Sequence, residues 1–463
     1  MFLKKKDHNS QIAITDNGEV FSYLDAREFS NEFVKAVGGR SLIFSFNSNN
    51  IESLFGYIAC VENRYVPLML DSKIDNEQLD NLLEIYQPHY LWVSTDRCGD
   101  FKDKKIVFSY KDYCLIEYSR SESISLHENL ALLLTTSGST GSPKLVRLTY
   151  DNIYQNTLSI IDYLDISEKD RPITTLPMHY SFGLSVINSH LLKGAVILLT
   201  NLSIMERGFW EFLKNEKASS LSGVPYSYQM LKKLRFFSMD YPHLKVLTQA
   251  GGKLSDSLID EYFEYCQNNN KKFVVMYGQT EATARMSYLP CNTKIEKIGS
   301  IGLPILNGSF ELINEDGMLI EEAEVNGELV YKGPNVSMGY AECFEDLLLG
   351  DVNKGTLLTG DIARRDSDGY YYIVGRKKRF IKIFGNRINL DEAENILKSF
   401  IEDSACTGKD NKMFIYVTKK DVEIPVKKYM NSKTGIPPSA IKVLYINSIP
   451  KNTAGKVIYS NLN

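Results

Sequence analysis

What the sequence lacks narrows it first. Its seven cysteines, at 60, 98, 114, 266, 291, 343 and 406, are scattered, odd in number and free of any CxxC pair. Such a set argues against a disulfide framework or a zinc site, and for a reducing, cytoplasmic setting in which most of them serve as small core residues. No apolar run approaches the roughly 18 residues of a membrane span. No apolar stretch follows Lys4-Lys5-Lys6, so a signal peptide is not expected. Internal repeats are absent to the eye. Basic residues with interleaved aromatics are not concentrated enough to suggest a nucleic-acid partner.

What remains is an ordinary soluble composition, 43% apolar and 24% charged, in a chain of 463 residues. That length is too great for one core and predicts two or more domains. The net charge of −4 conceals a division. From Arg376 onward there are 17 Lys/Arg and 8 Asp/Glu, a net of +9, which leaves −13 for residues 1–375. Two bodies with different partners fit that asymmetry. The basic part suits ATP, the phosphates of coenzyme A or an acidic carrier protein, and equally a solvated face beside an acidic neighbour.

Apolar runs alternate with helical patterns through the first 300 residues. Residues 42–46 precede a helical pattern at 51–60, and 196–199 precede one at 204–213. Tyr154, Leu158, Ile161 and Leu164 recur at helical spacing, with Asp151 as the expected N-cap. Residues 130–134 and 273–276 read as buried strands, and 119–129 as a linker. The alternation predicts an α/β fold with largely parallel sheets. From 298 to 377 glycines are frequent and apolar runs short. Asp368-Gly369 between 362–363 and 370–374 is a hairpin signal, and the stretch reads as a β-rich subdomain. Residues 378–463 carry strand and helix signals at 380–384, 390–400, 413–418 and 440–445, enough for a small α+β domain.

Five segments carry chemistry. The first is the loop Thr136, Ser137, Gly138, Ser139, Thr140, Gly141, Ser142, Pro143, Lys144 after the 130–134 run. Its glycines permit a tight turn, its hydroxyls donate hydrogen bonds, and Lys144 adds a mobile charge, all suited to polyphosphate oxygens. It is not a Walker A loop, which needs GxxxxGK[ST] running directly into a helix, whereas Pro143 removes an amide and disfavours helix before it. The second is Tyr277-Gly278-Gln279-Thr280-Glu281, directly after the 273–276 strand, where α/β folds place ligands. An aromatic ring, a hydroxyl and a carboxylate there suit a base, a phosphate and a metal, although a strand-end loop with a core tyrosine reads as well from the residues alone. The third, Thr359-Gly-Asp361, offers a carboxylate to ribose hydroxyls or is a common turn. The fourth is the basic strip Gly375-Arg376-Lys-Lys378, followed by Gly385. The fifth is Pro450-Lys-Asn-Thr-Ala-Gly-Lys456.

In this order and spacing the segments resemble the acyl-adenylate-forming superfamily, which includes acyl-CoA synthetases, nonribosomal peptide adenylation domains and luciferase. The resemblance covers essentially the whole chain. It implies a large N-terminal domain, 1–377, made of α/β subdomains with the β-rich subdomain at its end, and a small mobile α+β domain, 378–463. It implies an ATP- and Mg²⁺-dependent ligase that joins a carboxylic acid to AMP, releases pyrophosphate, and passes the acyl group to coenzyme A or phosphopantetheine. By the same resemblance the 137–144 loop holds the β- and γ-phosphates. Thr280 contacts the α-phosphate and Glu281 holds Mg²⁺. Tyr277 stacks on adenine, with Gly251 and Gly252 against its other face. Asp361 binds the ribose and Arg376 assists beside it. Lys456 bridges the carboxylate and the α-phosphate, Lys378 is a hinge, and Gly385 lines a thiol tunnel.

The segment 176–185 matches the family's acid pocket, with His179, Tyr180 and Gly183 as the candidate substrate residues. Enzymes for α-amino acids usually carry Asp where this chain has Gly183. Since an unpaired buried ammonium is costly, that argues against a conventional amino acid. His179 reads as a ligand-facing gate or as a satisfied core histidine. The C-terminal portion, about 85 residues, departs from the family in being short, and this weakens the thiol step more than adenylation. A stand-alone amino-acid ligase loading a carrier protein in trans is the competing enzyme reading. A non-catalytic adenylation-fold binding protein is the other, opposed by the retained Glu281, Asp361 and Lys456.

Overall fold

Apolar runs of strand length alternating with amphipathic helices build two large sheets in a computed structural model. It describes residues 1–3, 7–119, 126–135, 144–291, 293, 295–383, 386–401, 403–409, 411–451 and 456–462. The chain divides into two compact units. The first comprises Met1–Ile295, Pro304–Ser309 and Lys332–Leu357, and the second Glu296–Leu303, Phe310–Tyr331 and Leu358–Asn463.

One sheet of the first unit runs Val66–Asp71, Leu42–Asn47 and Tyr90–Ser94 in parallel, with Leu130–Thr135 parallel to Val66–Asp71. Leu145–Thr149 then pairs antiparallel to Leu130–Thr135, and Tyr340–Ala341 antiparallel to Leu145–Thr149. The other sheet sets Lys272–Tyr277, Val246–Gln249, Ser220–Gly223, Pro172–Ile173, Ile197–Leu199 and Gln11–Thr15 side by side in parallel, with Ser287–Leu289 antiparallel at the Lys272–Tyr277 side. Helices Ile51–Glu62 and Ser181–Lys193 are buried on every face over 51–61 and 181–191. Their side chains share one core with residues of both sheets, among them Ala13, Ile43, Met69 and Trp92. That explains why these two helices are apolar all round. Gly56 lets the first of them approach the sheet, since a Cβ there would stand 2.6 Å from the Trp92 indole nitrogen. The indole N–H donates to the Glu52 carbonyl at 3.0 Å.

The helix Tyr150–Leu164 is capped by Thr149, whose hydroxyl accepts from the Asn152 amide while the Asn152 side chain accepts from the Thr149 amide. The expected cap, Asp151, is instead in the first turn, where its charge suits the helix dipole. The cysteine reading needs one correction. Cys98 and Cys114 are joined in a disulfide, because the turn Thr95–Phe101 folds beside Tyr113–Glu117, the antiparallel neighbour of Tyr90–Ser94. Cys60, Cys266 and Cys406 are buried and free.

In the second unit a four-stranded sheet has the order Ser309–Ile313, Gly327–Lys332, Thr356–Arg365, Tyr371–Arg376. Its last two strands form the hairpin signalled by Asp368-Gly369, with Gly369 at φ +87°. Beyond it Phe380–Ile383 pairs with Asn386–Asn389. Ser404–Lys409, Lys412–Val417 and Ile441–Tyr445 form a three-stranded sheet, packed with helices Leu390–Lys398 and Glu423–Thr434 around a separate core.

Candidate functional site

In the first unit three neighbouring parallel strands end together. Gly223, Gln249 and Tyr277 close their strands at the carboxyl edge, where open α/β sheets bind ligands. The strands ending at Gln249 and Tyr277 continue into segments singled out by the sequence. After Gln249 the chain turns through Gly251 at φ +83°, and a Cβ there would meet the Tyr180 hydroxyl at 2.7 Å. Only glycine accepts both the conformation and the approach. Gly252 sits against the Pro225 ring.

After Tyr277 the backbone folds back on itself. A Cβ at Gly278 would stand 1.8 Å from the Ala284 carbonyl, so the loop closes only over glycine. Gln279 donates to the Tyr277 hydroxyl at 3.3 Å. Thr280 and Glu281 lie in a single tight turn, Thr280–Ala282. Thr283 follows at φ +67°, an unfavourable conformation for a β-branched residue, held by its hydroxyl donating to the Asn335 carbonyl at 2.7 Å. The Thr280 hydroxyl lies 3.1 Å from that of Ser181, and the Tyr340 hydroxyl donates to Glu281 Oε1 at 2.6 Å. Burial, reinforced by the Glu281 charge, pushes the Tyr340 phenol up, so it stays a donor. Lys144 pairs with Glu342 and stands 5.9 Å from the Tyr340 ring centre. The residues from Thr136 to Pro143, including Ser137, Gly138, Ser139, Thr140 and Gly141, lie outside the described residues.

The acid-pocket candidates start the buried helix Ser181–Lys193. His179 Nε2 stands 3.8 Å from Asp71, at the end of a strand of the other sheet. Burial lowers the His179 pKa against the pull of Asp71, and its Nδ1 is buried without a hydrogen-bond partner among the described residues. Burial also raises the Tyr180 phenol. Gly183 is a packing glycine: a Cβ would lie 2.3 Å from the Pro177 carbonyl, so no aspartate fits there on this backbone.

In the second unit Asp361, 1% exposed, faces Arg376 across the hairpin, with Arg376 Nε 2.6 Å from its carboxylate. The Thr359 hydroxyl accepts from the Asp361 amide at 3.1 Å, and Gly360 supplies a positive φ. Lys378 lies in the turn Lys377–Arg379, and Lys456 is exposed just before the bridge residue Val457. Gly385 lies outside the described residues. The site candidates thus form two sets, one in each unit. Sequence reading missed Tyr340, Thr283 and Asn335, polar residues in segments with no motif of their own, and Ser181, which sits inside the 176–185 segment without being named as a candidate. Among the described residues no three His, Cys, Asp or Glu gather into a metal cluster. No helix among them is long and apolar enough to cross a membrane.

The family model described as "AMP-binding enzyme" matches residues 6–341. The chain belongs to this family. It lies within the acyl-adenylate-forming superfamily, with the superfamily's α/β fold. Among curated relatives of the family it is 31% identical over 285 residues to a feruloyl-CoA synthase of Amycolatopsis, covering 60% of this chain and 56% of that protein. The chain therefore spans little more than half the length of that relative. It is 26% identical over 415 residues to a 2-succinylbenzoate–CoA ligase of Bacillus cereus, covering 86% of this chain and 82% of the other. Among solved structures it superposes on o-succinylbenzoate CoA synthetase of Bacillus subtilis, in complex with an acyl-adenylate intermediate, with a TM-score of 0.80 at 20% identity, over 98% and 95% of the two chains. ATP-bound MatB of Rhodopseudomonas palustris gives 0.81 at 20%, over 99% and 97%. At these identities the structural likeness shows the fold alone.

Proposed function

We propose that the protein is an ATP-dependent, AMP-forming carboxylic acid–CoA ligase. The observation that carries this reading is the Thr280-Glu281 pair, a hydroxyl and a carboxylate presented in one turn at the carboxyl edge of a sheet, in a chain of the AMP-binding enzyme family. A carboxylate oxygen of the acid attacks the α-phosphorus of ATP, pyrophosphate leaves, and the thiol sulfur of coenzyme A then displaces AMP from the acyl carbon. Relatives named as CoA ligases and synthetases support coenzyme A as the acceptor.

In this reading Thr280 donates to the α-phosphate, with Ser181 holding its hydroxyl. Glu281 fits a magnesium ion. Tyr340 occupies Oε1, Oε2 accepts from no described residue, and magnesium is ordinarily held by one or two carboxylates with substrate phosphates rather than by a protein cage. Bound there, magnesium would neutralise the leaving pyrophosphate. Tyr277 and Gly251–Gly252 take the adenine faces, and Gly278 and Gln279 shape the loop between them. Residues 136–144 grip the pyrophosphate end of ATP. Asp361, oriented by Arg376, binds the ribose hydroxyls. Lys456 brings two anions together, the acid and the α-phosphate, and stabilises charge in the transition state. Lys378 is the hinge that carries residues 378–463, and Gly385 the thiol-tunnel residue. The basic residues beyond Arg376 attract the anionic acceptor, coenzyme A before a carrier protein in trans. Acid-dependent ATP–pyrophosphate exchange, followed by thioester formation on adding coenzyme A or carrier proteins, tests both steps. Exchange without any thioester on either acceptor would confine the protein to adenylation.

A further inference from the structure

Two arginines are among the largest fully buried side chains, both in the first unit, and their surroundings differ. Arg147 is saturated with carbonyl oxygens. It donates to Tyr340 at 3.1 Å, Met338 at 2.9 Å, Gly350 at 3.3 Å and also Leu349. Asp346 and Asp351 act on its charge from nearby. Arg285, 1% exposed, has no such arrangement. Its Nε donates to the Ser185 hydroxyl at 3.2 Å, and Nη1 to the Tyr163 hydroxyl at 2.9 Å and toward the Met276 sulfur. Its guanidinium carbon lies 4.5 Å from the Phe182 ring centre. Nη2 donates to no described residue, and no described carboxylate pairs with the group. A buried cation held only by neutral groups is expensive unless something anionic completes it.

Its position says what that anion belongs to. Ser185 follows Ser181 by one turn of the same helix, and the Ser181 hydroxyl meets Thr280. Ser185, which accepts from the guanidinium, therefore lies one helical turn, on the order of 6 Å, beyond the serine whose hydroxyl meets the one assigned to the α-phosphate, where the acid attacks. The Arg285 charge also acts on the phenol of Tyr180, the residue in contact with Gly251. Its backbone is pinned, because the Arg285 carbonyl accepts from Asn156 at 2.9 Å and Asn335 at 3.0 Å. Phe182 covers one face of the guanidinium, and Nη2 is the nitrogen left to meet an anion.

We infer that Arg285 is a specificity-determining residue that pairs with a second anionic group on the substrate, so that the acid activated here is a dicarboxylate or an equivalent acid with an anionic tail. The inference rests on the ligase reading and deepens it. It also opposes an α-amino acid, whose ammonium would enter a pocket with a fixed positive charge and, at Gly183, no room for an aspartate.

The test is acid-dependent ATP–pyrophosphate exchange with matched pairs: hexanoate against adipate, benzoate against isophthalate, and 4-phenylbutyrate against 4-(2-carboxyphenyl)butyrate. The wild-type protein should favour the diacid in at least one pair by about 100-fold in kcat/KM. Arg285→Met should bring that ratio near one, chiefly through KM for the diacid, and Arg285→Lys should keep part of it. Thermal unfolding of each variant reports folding. Equal use of both members of every pair by the wild type overturns the inference without any variant. So does a variant that loses both members by the same factor, since that is what a structural arginine would do. Absence of exchange with every acid would instead sink the ligase reading itself.

Discussion

The two compact units handle buried charge in opposite ways. In the second, cations find acids. Arg376 meets Asp361, Lys377 meets Glu328, Lys297 meets Asp366 and Asp368, and Arg379 meets Asp391 and Glu394. In the first, the two deepest cations, Arg147 and Arg285, make no ion pair with any described residue and donate to neutral groups. Self-neutralised charge locks a hairpin and its neighbours into one arrangement. Charge held by dipoles alone remains available to a ligand, provided that some donor is left over. Arg147 has its donors met by carbonyls and acts in architecture, whereas Arg285 has Nη2 to spare among the described residues.

Replacing Arg147 should break the comparison most severely. Arg147→Met strips the donor from four carbonyls, one buried and three partly buried, and should cost on the order of 4 kcal/mol in urea unfolding, with acid selectivity unchanged. The next effect concerns a buried neutral group. Burial drives the His190 imidazole down to about 4 while its Nδ1 stays bonded to the Val186 carbonyl at 2.8 Å. The unfolded chain therefore binds a proton that the folded one refuses below the ordinary histidine range near 6.5. Stability is present above that range and is lost as pH falls toward 4, by up to roughly 3 kcal/mol. Urea titrations between pH 7.5 and 4.5 should show the wild type losing this much relative to His190→Gln.

In the second unit, Arg376→Met leaves a buried carboxylate without its guanidinium and should cost about 2 kcal/mol, reduced because Arg376 is half exposed. Asp361→Asn should cost less, because the arginine can hydrate. Both should raise KM for ATP. The smallest effect is expected for Tyr340→Phe, which removes one hydrogen bond to Glu281 and should weaken magnesium dependence by about tenfold, roughly 1.4 kcal/mol, in a metal titration of exchange.

Much of this was readable before the fold was known, because the signals were local. Strands at 42–46, 130–134 and 273–276, and the hairpin at Asp368-Gly369, follow from apolar runs and turn chemistry. Thr149 outcompeted Asp151 as a cap because capping depends on where the preceding strand ends, which propensity does not reveal. The pairing of Cys98 with Cys114 required knowing that a turn folds beside an antiparallel strand. Tyr340 and Ser181 were invisible because they meet Glu281 and Thr280 only through long-range strand and helix placement. Arg285, four residues after Glu281, is indistinguishable in sequence from any other arginine; only the fold shows that it is buried and that no described acid pairs with it.

The account stands or falls on acid-dependent ATP–pyrophosphate exchange measured in the wild type, Glu281→Gln and Lys456→Ala. It predicts exchange with at least one carboxylic acid in the wild type, reduced by 100-fold or more, about 3 kcal/mol, in each variant whose unfolding temperature is unchanged. Exchange that survives Lys456→Ala undiminished, or a folded wild type that exchanges with no acid, would contradict it.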